Sequence, residues 1–219
     1  MVSQKFSRFA LFRIIIFIGD SHVVSLTDSE FDRSLSCKLS RIGSRYFLFV
    51  SLWFKDTLAY SVSKKRFPSN LKTKMYVLNL LRLVGAKYYF NFGEIDIRCH
   101  LAKEDKNIDF LPSYVYQCRK ILKTNSKRIV FLTPTPPSDL YEDHPSFPRY
   151  GGMSERMKAY FDFCDNLRIA AIQQSCGFIN LSHALVTGTS GLSSDLTDDG
   201  CHLNLKGASL VRELILNEA

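Results

Sequence analysis

Short apolar runs alternate with stretches of helical periodicity along the chain. The run 14–18 is apolar at every position and rich in β-branched residues, which is typical of a central parallel strand covered on both faces. Further runs predict strands at 46–52, 87–92, 128–132 and 177–181. Apolar residues at helical spacing predict helices at 69–83, 112–123, 154–174 and 205–216, and the polar stretch 29–39 is also predicted to be helical.

This alternation predicts an α/β protein. Strands separated by helices form parallel sheets with helices on both faces, and ligands bind at the carboxyl ends of the strands. We expect about five strands in one domain spanning residues 1–219. The segment 138–152 has no clear periodicity and contains two prolines and two glycines, so we predict an irregular loop able to overhang a ligand site.

Composition and charge narrow the class of protein. A hydrophobic fraction of 46% is typical of a globular protein. The formal net charge is +8, but the basic residues are scattered rather than ranked along one helix, which predicts a solvated basic surface and no nucleic-acid partner. An acidic polysaccharide and a phosphorylated acyl donor suit this charge equally well.

The cysteines and the apolar runs indicate where in the cell the protein is expected. Six cysteines lack the paired spacing of a zinc site and are too sparse for a disulfide scaffold, so we expect reduced thiols and no metal. Arg13 interrupts the first apolar stretch, which also lacks a small-residue cleavage site, so a buried strand is favoured over a signal peptide. The chain contains no run of about 18 apolar residues, so no membrane span is predicted. We therefore expect a cytoplasmic protein.

The sequence Gly-Asp-Ser-His at 19–22 follows the first predicted strand at a turn into a helix. There the backbone N–H of Ser21 and the positive end of the helix would face a reacting carbonyl group. A serine needs a base to become a nucleophile, and His202 with Asp199 supplies a base and its orienting carboxylate. The alternative is structural: a helix-capping turn at 19–22 and a polar loop before the last helix.

The chain resembles the SGNH hydrolases, also called GDSL-type esterases. Residues 17–22 (FIGDSH) are similar to the first block of that family, and residues 199–204 (DGCHLN) are similar to its closing Asp-x-x-His block. The resemblance implies a flavodoxin-like three-layer α/β/α sandwich with a mostly parallel sheet. It also implies hydrolysis or transfer of acyl groups by Ser21, His202 and Asp199, without a metal or cofactor.

The chain departs from the family pattern in its middle blocks. The family has Gly-x-Asn-Asp, whose Asn donates to the oxyanion, whereas residues 93–96 read Gly-Glu-Ile-Asp, so Ile95 replaces the donor. No glycine occurs in 53–60, where a second conserved donor of the family is expected. We therefore name as candidates for oxyanion or substrate contact Arg98, Glu94, Gly93 and Asp96. An ion-paired edge of an extended segment would explain the charged residues equally well.

The Gly-Glu-Ile-Asp-x-Arg pattern resembles a subset of these proteins linked to bacterial surface-polysaccharide pathways. We therefore predict a serine-dependent ester hydrolase that removes an acyl group, first of all acetyl, from a carbohydrate or other small ester. One alternative is an O-acetyltransferase acting on a surface polysaccharide or its precursor. A second alternative is a non-catalytic carbohydrate-binding or assembly domain that has lost its oxyanion donors. His144, in the irregular loop, is a further candidate for substrate contact.

Overall fold

The fold was analysed in a computed structural model that describes residues 12–28, 35–55, 57–66, 74, 78–102, 107–122, 124–140, 148–188 and 191–218. Within these residues, one sheet has six strands: β1 Phe12–Gly19, β2 Leu35–Ile42, β3 Arg45–Trp53, β4 Lys87–Asn91, β5 Ile129–Leu132 and β6 Gly177–Ile179. Their order is β2-β3-β1-β4-β5-β6. All neighbours are parallel except β2 and β3, which confirms the predicted α/β class with a mostly parallel sheet.

Helices cover both faces of the sheet. The described α-helices include His22–Ser25, Ala59–Ser63, Glu94–Asp96, Leu111–Leu122, Met153–Gln173, Ser182–Leu185 and Leu205–Asn217, and Ile97–Leu101 is π-helical. Along β1 the buried side chains alternate: Ile16 and Ile18 join one apolar cluster, and Ile15 and Phe17 join another. The predicted three-layer arrangement is therefore confirmed. Within the described residues, no helix is long and apolar enough to cross a membrane.

The structure corrects the helix predicted at 29–39 for residues 35–39, whereas residues 29–34 lie outside the described residues. Residues 35–39 belong to strand β2, and the sheet has six strands rather than about five. Leu35, Cys37 and Leu39 alternate with polar residues, which is the period of a strand. The strand forms because a tight turn containing Gly43 (φ +59°) returns the chain antiparallel to β3, whose edge would otherwise be unpaired.

The other elements end within a few residues of their predicted bounds. In the predicted helix 69–83, residues 78–81 are helical and Arg82–Val84 form a 3₁₀ turn, whereas most of 69–77 lies outside the described residues. The described ends of the segment 138–152 are irregular. His144 lies outside the described residues.

The carboxyl end of β1 lies where the chain changes direction across the sheet. The chain passes from β1 to β3 on one side and later to β4 on the other, which makes this edge the topological switch point. Gly19, the last residue of β1, is in register with Trp53 and Asn91. A Cβ atom on Gly19 would lie 2.1 Å from the backbone oxygen of Asn91 and 2.5 Å from Val23 Cγ1. The close approach of these elements therefore requires glycine before the Asp-Ser-His turn.

Candidate active site

Ser21 occupies the turn between β1 and the short helix His22–Ser25. Its side chain is half-buried, and its Oγ lies 2.9 Å from Nε2 of His202, within hydrogen-bond distance. In the described part of the chain, no acceptor is paired with the backbone N–H of Ser21. The turn therefore presents both a hydroxyl bonded to an imidazole and a backbone donor.

Asp199 holds His202 in position through both carboxylate oxygens. The Nδ1–H of His202 donates to Oδ2 at 2.7 Å, and the backbone N–H groups of His202 and Cys201 donate to Oδ1 at 2.7 and 2.8 Å. Partial burial opposes the charge of Asp199, but these hydrogen bonds hold the pKa of its carboxyl well below the usual range. Since Nδ1 carries the proton toward the carboxylate, Nε2 is left to accept from Ser21.

The last helix, Leu205–Asn217, fixes the loop that carries this pair. Asn204 caps the helix, because its side-chain oxygen accepts from the backbone N–H of Lys206 and of Gly207, both at 3.1 Å. Ala208 and Val211 are fully buried in the same apolar cluster as Phe17 of β1. The helix thus anchors the residues near one end of the chain against the strand near the other end, and Ser21, His202 and Asp199 come together.

A second Asp–His pair, which the sequence analysis missed, lies beside the first. Nδ1 of His22 bonds to Oδ1 of Asp20 at 2.8 Å, and its Nε2 bonds to the carbonyl oxygen of Cys201 at 3.1 Å. Burial of the ring opposes its charge, but the adjacent Asp20 carboxylate outweighs it and holds the pKa of His22 well above its ordinary value. The Asp-x-His spacing within residues 20–22 was the available sequence signal.

One cluster offers metal-ligand atoms. Among the described residues, nitrogen or sulfur atoms of His22, Cys201 and His202 all lie within 4.8 Å of one another. A metal would require neutral imidazoles and a thiolate. The raised pKa of His22 and the pKa of the Cys201 thiol, raised by burial, both oppose the loss of those protons. A metal at this cluster would have to displace both protons.

Glu94 and Arg98 form a buried ion pair near this cluster. The segment is helical rather than extended, so the two side chains lie one turn apart on the same face. Nε of Arg98 donates to Oε1 of Glu94 at 2.5 Å and one terminal nitrogen donates to Oε2 at 3.1 Å. The expectation of an extended segment is wrong, whereas an ion pair was one of the two alternatives. A contact between Arg98 and an oxyanion stays a prediction.

The comparisons with known proteins agree with this geometry at the level of the fold. No protein-family profile matches the sequence, and neither does any curated protein sequence. A GDSL-like lipase from Bacteroides thetaiotaomicron superposes with a TM-score of 0.61 at 12% identity, covering 94% of this chain and 87% of that one. The chain has the fold of the SGNH and GDSL-like hydrolases.

Two carbohydrate-active enzymes have the same SGNH fold. A carbohydrate acetylesterase from Sinorhizobium meliloti superposes with a TM-score of 0.55 at 13% identity, covering 94% of this chain and 97% of that one. A catalytic mutant of an acetylxylan esterase from Geobacillus stearothermophilus gives a TM-score of 0.53 at 12% identity, covering 94% and 93%. At these identities the similarity establishes the fold alone.

Residues 93–96, which the sequence analysis compared with the Gly-x-Asn-Asp block of the SGNH hydrolases, have structural contacts. Gly93 has φ +124°, and a Cβ there would lie 2.4 Å from the ring of Phe163. Ile95 is buried. The Asp96 carboxylate accepts from the backbone N–H groups of Ala59 at 2.8 Å and Tyr60 at 3.1 Å, which caps the helix Ala59–Ser63. Burial raises the pKa of Asp96 to about 7.

A pocket of about 490 Å³ lies beside this segment. It is bounded by residues that follow β3 and by residues that follow β4, and therefore lies at the carboxyl edge of the sheet where Ser21 is found. Its lining combines aromatic rings with polar, basic and acidic groups: Tyr60, Ser61, Arg66, Asp96, His100, Asn107 and Phe110. Ser21, His202 and Asp199 are not part of this lining. Such a lining suits a ligand with both a ring face and hydroxyl or acidic groups.

Proposed function

We propose that the protein is a serine-dependent ester hydrolase that removes an acyl group, most simply acetyl, from a carbohydrate. One observation carries the proposal: Ser21 Oγ, His202 and Asp199 form a continuous chain of hydrogen bonds of 2.9 and 2.7 Å. This is the arrangement that lets an imidazole remove the proton of a serine while a carboxylate holds its tautomer. Helix capping alone explains neither bond.

The geometry supports a two-step reaction. Ser21 Oγ attacks the ester carbonyl carbon, and Nε2 of His202 accepts the hydroxyl proton. The tetrahedral intermediate expels the sugar alkoxide, which takes that proton and leaves an acyl group on Ser21. Water then attacks the acyl-enzyme with His202 again as base, which releases the carboxylic acid and restores the serine hydroxyl. Throughout, Asp199 stabilises the imidazolium.

The oxyanion of the tetrahedral intermediate has the fewest identified hydrogen-bond donors in this reaction. The Ser21 N–H is one donor, and Ile95 supplies none in place of the Asn of the SGNH family. Loss of one oxyanion donor raises a barrier by about 2.7–4 kcal/mol, which lowers kcat by about 10²–10³. We therefore expect slow turnover unless the neighbouring Arg98 supplies a second donor.

The pocket of about 490 Å³ supports a carbohydrate as the alcohol part of the substrate. Tyr60 offers an aromatic surface, and Ser61 and Asn107 offer hydrogen-bonding groups for sugar hydroxyls. Arg66 adds a positive charge, which together with the net charge of +8 favours an acidic sugar. The acetylesterases that have this fold act on carbohydrates or xylan, which agrees with the proposal.

Hydrolysis is favoured over transfer by the exposure of the catalytic side chains. The side chain of Asp199 is 54% exposed and that of His202 is 24% exposed. An acyl-enzyme in such an open site is accessible to water, whereas a transferase must exclude it. The assay must therefore distinguish hydrolysis from O-acetyl transfer to a sugar.

Turnover of p-nitrophenyl acetate and labelling by a fluorophosphonate test the nucleophile. We expect burst kinetics in the wild type and one label, both abolished by Ser21→Ala and retained in the matched control Ser154→Ala, an exposed serine of the helix Met153–Gln173. His202→Asn and Asp199→Asn are expected to lower kcat by about 10⁴. Wild-type protein without label or turnover would instead favour the binding-domain alternative.

Acetylated sugars then test the substrate. We expect acetate release from an acetylated acidic oligosaccharide in buffer alone, whereas product that forms only when a free sugar acceptor is added would favour the transferase. Arg66→Gln is expected to raise KM for the acidic substrate about tenfold without changing turnover of p-nitrophenyl acetate. Lys158→Gln, on an exposed helix face, is the control for loss of one positive charge.

A further inference from the structure

The Asp20–His22 pair contacts the loop that carries His202, but the proposed reaction does not use it. His22 is 2% exposed and Asp20 is 1% exposed, so both lie in a low-dielectric surrounding. The centroids of the His22 and His202 rings are 4.9 Å apart, with 32° between the ring planes. A buried Asp–His pair is thus packed directly against the imidazole of the proposed base.

We propose that His22, held by Asp20, is a positioning residue that keeps His202 against Ser21 while the nucleophile attacks. This inference rests on the proposed function, because it assigns a role in the same site. It adds to that reaction a residue outside the set Ser21, His202 and Asp199.

The hydrogen bonds of His22 account for this positioning. Its Nε2 donates to the carbonyl oxygen of Cys201, the residue next to His202, and so joins the turn after β1 to the loop before the last helix. Its backbone N–H and Nδ1 both bond to Oδ1 of Asp20, which fixes the ring. This link does not involve Ser21 Oγ, so it persists when the serine hydroxyl turns to the substrate.

Both ring nitrogens of His22 face acceptors, a carboxylate and a carbonyl, so the ring that donates at both positions is held at both ends. The centroid of this fixed ring lies 4.9 Å from that of the His202 ring. The His22 ring therefore limits the positions that the His202 ring can occupy.

Two substitutions separate the hydrogen bond from the bulk of the ring. His22→Gln keeps an N–H donor for the Cys201 carbonyl, so we expect plateau kcat to change less than threefold. His22→Phe keeps a ring but removes the donor, and we expect plateau kcat to fall by about tenfold or more with KM unchanged. His183→Gln, on the exposed face of the helix Ser182–Leu185, is the matched control and should change neither.

Histidine NMR gives a readout that does not depend on turnover. In wild-type protein labelled with ¹⁵N-histidine, we expect the Nε2–H of His22 to give a signal that exchanges slowly with solvent, because the ring is buried and donates to the Cys201 carbonyl. Absence of that signal overturns the inference even if Ser21-dependent turnover is found. Absence of Ser21-dependent turnover with the expected NMR result rejects the proposed function alone.

Discussion

Removal of one partner from the Glu94–Arg98 pair tests how this site is stabilised. Both side chains are about nine-tenths buried and share two parallel hydrogen bonds. Glu94→Gln leaves the Arg98 charge buried without its carboxylate. The loss of one partner of a buried ion pair costs about 3–5 kcal/mol, because the attraction disappears while the desolvation of the remaining charge does not. We expect the free energy of unfolding to fall by that amount.

Urea unfolding at pH 7 measures the change, with a constant m-value showing that only stability has changed. The chain offers a matched control: Lys158 and Asp162 form an exposed ion pair at the same helical spacing, and Asp162→Asn is expected to cost less than about 0.5 kcal/mol. In the double variant Glu94→Gln/Arg98→Met no charge remains, so we expect it to recover at least about half of the loss. A cost below about 1 kcal/mol for Glu94→Gln would refute the reasoning.

The same variants test whether Arg98 donates a hydrogen bond to the oxyanion. If the folded double variant loses about 10²–10³ in kcat relative to wild type, Arg98 acts as a donor to the oxyanion as well as a partner of Glu94. If its kcat is unchanged, the pair is structural and the oxyanion relies on backbone donors. Measuring stability and kcat on one set of proteins keeps these two roles apart.

A residue other than glycine at φ +124° costs about 1–3 kcal/mol, and a Cβ at position 93 would also overlap the Phe163 ring, so we expect Gly93→Ala to destabilise the fold by more than that amount. Urea unfolding measures the change. Gly188→Ala, at φ +57° with open space around the Cβ position, is the control. Asp96→Asn tests pH dependence. Because folding raises the pKa of Asp96 to about 7, the folded state binds more protons than the unfolded state between about pH 4 and 7, so stability falls as pH rises through that window. The Asn variant should lose this part of the pH dependence of the urea midpoint, and an unchanged slope would contradict the assignment.

Much of the fold was predictable because it depends on local patterns. The fully apolar run at β1 and the long helix Met153–Gln173 each have one dominant period, and their observed bounds lie close to the predicted ones. Strand β2 was missed because its alternation is short and polar, and its pairing with β3 depends on a turn and an available sheet edge. The segment after β4 was predicted to be extended, but its charged side chains pair one helical turn apart.

The candidate site also depends partly on local sequence patterns and partly on tertiary contacts. The sequence by itself determined the reactive groups, because Gly-Asp-Ser-His and Asp-x-x-His carry a hydroxyl, an imidazole and a carboxylate whose local turns are set by short-range hydrogen bonds. Only the tertiary structure decided that Ser21 meets His202 across 181 residues, that His22 reaches the Cys201 carbonyl, and that Arg98 pairs with Glu94. These contacts depend on packing of the last helix against β1 and on burial of the charged groups, which no local pattern encodes.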